Sequence, residues 1–208
     1  ALNPSLEHLL KFSHGKSYSA KEIIIHQGDV PSSLYYIIAG SVSVLAESES
    51  GEEIILAQLN QGEFFGEAGL FDFETNDDVK RTARIIARAD TSIAEISYSQ
   101  FKQIVSEDPA VMFLLTGQIF TRLKKTSQKV RDLIFLDVKG RIAHCLLELS
   151  SEPDAITHPD GMQIKITRQD IAKMVGCSRE MAGRVLKELE DDALISAHGK
   201  TVVVFGTR

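Results

Sequence analysis

Short β-branched runs broken by glycine turns over residues 21–97, a heptad-spaced seam over about 109–135, and two capped helices followed by a hairpin over 167–205 together predict an α+β chain. The β-rich part offers strands at 22–26, 34–38, 41–47, 53–58, 82–88 and 92–97, punctuated by Gly28, Gly40, Gly51 and Gly62. Regular short strands with frequent turns predict a barrel-like or jelly-roll module.

From about Pro109 the period becomes helical. Met112, Thr116, Ile119, Leu123, Thr126, Val130 and Leu133 recur in steps of four and three, a seam suited to pairing with a second copy of the same helix. Packing of one amphipathic face onto the chain's own core remains open on periodicity alone. The two threonines require a partner or a ligand, because polar groups in an apolar seam otherwise cost stability. Leu136, Asp137 and Val138 then read as a hinge before a helix over 139–150. Pro153, Pro159 and Gly161 mark a polar loop over 151–161, and a short strand over 162–166 follows it.

Residues 167–190 read as two short helices around a tight turn. Thr167 and Asp170 form a capping pair, Gly176 supplies the turn, and Ser178 caps the second helix. At ~100° per residue, Met181, Ala182, Val185, Leu186 and Leu189 share one face of that helix and Arg179, Glu180, Arg184 and Lys187 the other. The apolar face must pack inward, so the long donors and one acceptor project outward, where they suit the base edges and phosphates of a DNA major groove. An ordinary solvated two-helix hairpin is the competing reading. The apolar runs 194–197 and 201–205, around His198, Gly199 and Lys200, add a wing, and the whole reads as a winged helix-turn-helix.

A chain of 208 residues, 43% hydrophobic and 25% charged, is a globular protein of one or two domains. No apolar run approaches the ~20 residues of a membrane span, and no basic stretch leads into an apolar core at the start, so no secretory signal is expected. Cys145 and Cys177 form no CxxC pair, which fits reduced packing residues and a cytoplasmic setting. The net charge of −6 lies wholly in residues 1–138, with 13 Lys/Arg against 19 Asp/Glu, whereas residues 139–208 hold 10 of each. A locally cationic face on that neutral segment remains compatible with salt-dependent phosphate binding.

A second chemical signal is the run Gly62-Glu63-Phe64-Phe65-Gly66-Glu67-Ala68-Gly69-Leu70-Phe71, followed after a polar insertion by Arg81-Thr82-Ala83. Closely spaced glycines let backbone N–H groups approach an anion, while a guanidinium and a hydroxyl complete its coordination. Glu67 would suit a ribose hydroxyl.

With these residues in place, and with the blocks Leu34-Tyr35-Tyr36-Ile37-Ile38, Ala94-Glu95-Ile96-Ser97-Tyr98, Phe135-Leu136-Asp137-Val138 and 157–208, the chain resembles the cyclic-AMP receptor protein (catabolite activator) branch of the CRP/FNR transcription regulators. The resemblance implies an N-terminal jelly-roll-like β-roll that binds a cyclic nucleotide (1–108), a long dimerisation helix and hinge (109–136), and a winged helix-turn-helix DNA-binding domain (137–208). It implies a non-enzymatic homodimer whose allosteric ligand is cyclic AMP. Gly66, Glu67, Ala68, Arg81, Thr82 and Ala83 would form the phosphate and ribose cassette, with Arg122 supporting the carboxylate. Thr126 of one subunit and the partner subunit's Ser127 would contact the adenine amino group. Arg179, Glu180 and Arg184 would read bases of TGTGA-like half-sites, Arg168 and Lys187 would contact phosphates or position the helix, and Ser178 would belong to the same DNA-binding set. Thr157 and His158 match a surface that touches RNA polymerase. His14 and Lys16 partly match a second such surface, where Gln100 replaces a common lysine.

Departures from the family pattern are Thr82 in place of serine, Ala68 in place of a larger apolar residue, Met181 in place of threonine, and a longer, acidic stretch over 72–80. They keep cyclic-di-GMP and cyclic GMP open as ligands. A nucleotide-processing enzyme is a remote alternative, because the pocket motif offers no nucleophile–base pair or metal constellation, and His26 and His144 read as structural or surface residues. No cysteine cluster suits an iron–sulfur sensor.

Overall fold

The computed structural model describes residues 3–71 and 80–207. The insertion at 72–80 therefore lies, apart from Lys80, outside the described residues. The chain divides into two compact units, Ala1–Lys125 and Thr126–Arg208.

In the first unit, helix α1 (Pro4–Lys11) starts where Asn3 accepts the Ser5 amide and Pro4 occupies the first turn. Eight strands follow among the described residues: β1 (His14–Tyr18), β2 (Ile23–Ile25), β3 (Ser33–Ala39), β4 (Ser41–Glu47), β5 (Glu53–Asn60), β6 (Phe64–Phe65), β7 (Arg84–Ala87) and β8 (Thr91–Ser97). They form two antiparallel four-stranded sheets, ordered β1-β8-β3-β6 and β2-β7-β4-β5. A 3-10 turn at Ala68–Leu70 and helix α2 (Tyr98–Glu107) complete the roll before α3 (Ala110–Phe135) begins.

Period-two alternation divides the burial between two cores. Ile37 and Ile93 turn toward a core between the sheets, with Ile25, Val42, Leu59, Phe65 and Ile85. Leu34, Tyr36, Phe64, Ala94 and Ile96 turn the other way, onto Leu6 and Leu9 of α1, Phe101 and Ile104 of α2, and Val111 and Leu115 of α3. Fully burying each such aliphatic side chain stabilises the fold by ~1.5–3 kcal/mol. The β-roll expected from the strand spacing is present.

The second unit contains α4 (Val138–Ser150), β9 (Ile156–His158), β10 (Gly161–Lys165), α5 (Arg168–Val175), α6 (Arg179–Asp191), β11 (Ile195–His198) and β12 (Thr201–Phe205). Its sheet runs β11-β12-β10-β9, and Ile142, Leu146, Ile171, Ala182, Val185 and Leu189 join Ile195, Val202 and Val204 in one core. Asp137, in the expected hinge, caps α4 by accepting the Gly140 amide at 2.7 Å.

Several elements differ from the sequence reading. β9 lies inside the segment 151–161, read as loop, because it is only three residues long and largely exposed. Sequence patterning also gave no sign of α1, α2, β1 or β6; β1 is almost wholly exposed, and β6 is two residues inside a glycine-rich motif. The α3 seam is offset too. Met112 and Ile119 pack against the N-terminal core, whereas Phe113 and Phe120 join Leu123 and Val130 among the exposed apolar residues.

Candidate functional site

One strand pair and a left-handed glycine build the first site. β6 pairs with β3 through Tyr35↔Phe65 and Tyr36↔Phe64, and the Tyr35 and Phe65 rings stack at 5.0 Å. The chain leaves β6 through Gly66 at φ +82°, a conformation that only glycine adopts without strain. Glu67 then opens the 3-10 turn, whose first amides have no intrahelical partner.

Arg81 enters from the segment that precedes β7. Its amide donates to the Asp29 carbonyl and its carbonyl accepts from the Gly28 amide, each at 2.8 Å. The side chain is only 9% exposed. Its guanidinium donates through Nη1 to the Gly66 carbonyl (2.7 Å) and the Tyr98 hydroxyl (3.2 Å), and through Nη2 to the Ser33 carbonyl (2.8 Å). Tyr35 and Tyr98 flank it, with ring centroids 5.7 and 6.0 Å from Cζ. Among the described residues no carboxylate pairs with this buried cation. Burial pushes the Tyr98 phenol upward against the opposing Arg81 charge, so it is a neutral hydroxyl at ordinary pH. It donates to the Gly66 carbonyl at 2.6 Å.

Glu67 accepts from Arg122 Nη1 at 2.8 Å, and Arg122 Nη2 donates to the Phe64 carbonyl at 2.7 Å. One helical turn earlier, Gln118 accepts the Phe64 amide and donates to the Gly62 carbonyl, both at 2.8 Å. Thus α3 grips the glycine-rich segment through two side chains. Ala68 and Thr82 are exposed and Ala83 is half-buried. Thr126 and Ser127 are exposed one turn beyond Arg122 along α3. The structure brings Gly66 to Arg81 and Glu67 to Arg122. Sequence reading singled out neither Gln118, Ser33 nor the Tyr98 hydroxyl; Tyr98 closes one of the quoted motifs, but nothing local signals where its oxygen goes.

The second site is the exposed face of α6. Thr167 and Asp170 form the expected capping box, with the Asp170 amide donating to Thr167 Oγ1 at 3.0 Å. Gly176 turns the chain at φ 70°, and Ser178 accepts the Met181 amide at 3.1 Å. Ala182, Val185, Leu186 and Leu189 are buried, leaving Ser178, Arg179, Glu180, Arg184 and Lys187 exposed. Lys139, by contrast, is committed to Asp192 (2.7 Å) and Glu188, and the Asp192 hydrogen bond raises its pKa. No such pairing engages Arg179, Arg184 or Lys187 among the described residues. Arg168 lies over Gly183, where an added Cβ would come 3.4 Å from its Cδ. The β11–β12 hairpin turns at Gly199, and the strand before it is Ile195–His198 rather than 194–197.

Of the two candidate partner surfaces, Thr157 is exposed on β9, and His158 Nδ1 accepts the Asp160 amide at 3.3 Å. His14 is exposed on β1. Lys16 is ion-paired with Glu95; burial pushes the Glu95 carboxyl up, but hydrogen bonds from Lys16 and Ser33 outweigh this and hold it below its ordinary value. Burial raises the Cys145 thiol to about 12, which makes it inert at neutral pH. No cluster of His, Cys, Asp and Glu suited to a metal occurs among the described residues, and no helix there is long and apolar enough to cross a membrane.

Residues 15–108 match the cyclic nucleotide-binding domain family, and residues 140–205 match the Crp-like helix-turn-helix domain family. The chain is 53% identical over 206 residues to the cAMP-activated global transcriptional regulator CRP of Salmonella typhimurium, covering 99% of this chain and 96% of that protein. It is 51% identical over 208 residues to the cAMP-activated global transcriptional regulator Vfr of Pseudomonas aeruginosa, covering 99% and 97%. Among solved structures, the c-di-GMP responsive global regulator CLP of Xanthomonas campestris has a TM-score of 0.89 and 42% identity, covering 98% of this chain and 99% of that one. These relatives are named as regulators, not enzymes. A β-roll with a buried, carbonyl-held arginine and a capped helix-turn-helix with an uncommitted cationic face, matched over nearly their full length, place this chain in the CRP/FNR family of DNA-binding transcription regulators.

Proposed function

We propose that the protein is a cyclic-AMP-gated transcription regulator, acting in the cytoplasm as a homodimer on palindromic TGTGA-like sites. The observation that carries the ligand reading is the Arg81 guanidinium, buried against carbonyls and phenyl rings with no carboxylate partner among the described residues. A buried cation in that setting is costly unless an anion meets it. A cyclic phosphate supplies the anion, and Thr82 donates to it. Gly66, Ala68 and Ala83 let the backbone approach closely. Glu67, held by Arg122, accepts the ribose 2′-hydroxyl. Thr126 and the partner subunit's Ser127 bind the adenine amino group. The names of the relatives at 53% and 51% identity support cyclic AMP as the ligand.

Gating requires the nucleotide to favour the DNA-competent arrangement, typically by ~1–3 kcal/mol. The exposed apolar residues Phe113, Phe120, Leu123, Val130 and Ile134 of α3 supply the dimer surface. A two-fold axis then sets the recognition helices in successive major grooves about 34–36 Å apart. Arg179 and Arg184 read guanine acceptors and Glu180 accepts from cytosine. Arg168 and Lys187 hold phosphates, and Ser178 caps the helix within the same DNA-binding set. Thr157 and His158 face RNA polymerase, with His14 and Lys16 as a lesser contact.

Cyclic-di-GMP remains the second reading, because the solved relative at 42% identity responds to it. Calorimetry of the full chain with cyclic AMP, cyclic GMP and cyclic-di-GMP separates the ligands. Selective binding of cyclic AMP, lost in Arg81→Gln, is the expected result; selective binding of another nucleotide would replace this ligand assignment.

A further inference from the structure

The Tyr98 hydroxyl is shared between a carbonyl and a buried cation. A phenol offers one donor and two lone pairs. Here it donates to the Gly66 carbonyl at 2.6 Å and accepts from Arg81 Nη1 at 3.2 Å. One oxygen therefore ties the left-handed glycine to the buried guanidinium. Room around it is tight. A Cβ at Gly69 would lie 2.9 Å from this oxygen and 2.6 Å from Pro31.

A guanidinium carries five N–H donors in a fixed plane. Nη1 uses both of its hydrogens, on the Gly66 carbonyl and the Tyr98 oxygen, and Nη2 uses one, on the Ser33 carbonyl. A Cβ added at Gly66 would lie 3.1 Å from both the Ser33 carbonyl oxygen and Arg81 Nη1. Both carbonyls therefore lie at the tip of the guanidinium, beside the Gly66 turn. Nε–H and the second Nη2–H are left over, and they meet no acceptor among the described residues. Side by side on one edge, two such donors match two oxygens of one phosphate.

Building on the nucleotide reading above, we infer that Tyr98 is a positioning residue for the phosphate: with the Gly66 and Ser33 carbonyls, it pins the tip of Arg81 so that the Nε–Nη2 edge receives the anion. Tyr98 touches the ligand only through Arg81. Its position as the first residue of α2 fixes that edge to the helix that follows β8.

The test is a double-mutant cycle on the full chain, with cyclic AMP affinity read by calorimetry. Tyr98→Phe keeps the ring and removes the tie, so affinity should fall about ten-fold. In an Arg81→Lys background, which lacks the two-donor edge, the same change should alter affinity less than about two-fold. Equal losses in both backgrounds, or no loss in either, would overturn the positioning role. A measurement on the unmutated protein covers the case of a variant that fails to fold. With 15N-labelled arginine, the Arg81 Nε–H resonance should shift and slow its exchange with solvent when cyclic AMP is added. An unchanged Nε–H with bound cyclic AMP overturns the inference alone. Failure of the unmutated chain to bind any cyclic nucleotide overturns the ligand reading and the inference together.

Discussion

At Gly66 a Cβ would sit 2.9 Å from Tyr35 Cδ2 and 3.1 Å from Arg81 Nη1, on a backbone already at φ +82°. Gly66→Ala therefore combines strain with overlap and should destabilise the N-terminal unit by about 1–3 kcal/mol, measured by urea unfolding. Arg122→Ala leaves the Glu67 carboxylate and the Phe64 carbonyl without their donor. Nucleotide affinity should fall about ten-fold, and stability should fall as well, because the pair is only about one-fifth exposed and the carboxylate left behind is largely buried. On α6 the proposed roles of the side chains can be separated by mutation. Arg179→Ala and Glu180→Ala should relax discrimination at single base pairs, whereas Lys187→Ala should weaken all sequences alike; uniform losses in all three would contradict that division. Gly66, Glu67 and Arg81 were legible because their chemistry is concentrated in short motifs. Ser33, Gln118 and Tyr98 were not, since their hydrogen bonds cross 48, 56 and 17 positions of sequence, and no local pattern encodes such meetings.

Capping chemistry made the helix-turn-helix the most readable element. Thr167, Asp170, Gly176 and Ser178 each satisfy a backbone need within four residues of themselves, so sequence alone places them. Thr167→Ala should cost about 1 kcal/mol in the C-terminal unit, seen as a lower urea midpoint with an unchanged slope. Helix α3 was half-readable. Its period was clear, but two apolar stripes share it, and only tertiary packing decides that Val111 and Leu115 turn inward while Phe120 and Leu123 stay exposed. An aspartate at position 123 should convert a dimer to a monomer in sedimentation velocity; a dimer that survives Leu123→Asp would place the subunit contact elsewhere. Past the division between units, Asp132 near the end of α3 holds His144 of α4 and accepts from Gln128 at 2.7 Å. That contact braces the hinge side of α4 beyond the Asp137 cap.

Across the whole chain, acidity and DNA reading occupy different segments. The excess of acids belongs to residues 1–138, while the segment that carries α6 is balanced, so a net charge of −6 does not oppose a local cationic face. DNA affinity should nevertheless fall steeply with salt, because exposed Arg and Lys side chains displace counterions from phosphates. The two units also divide sensing from reading: the first holds the buried arginine, the second the exposed recognition helix, and α3 runs from one into the other. The claim that joins them is gating. Titration of the full chain into a fluorescent palindromic TGTGA duplex, with and without cyclic AMP at fixed salt, tests it most directly. At least a five- to ten-fold gain in affinity with cyclic AMP, abolished in Arg81→Gln, is the expected result. Equal affinity in both titrations would contradict it.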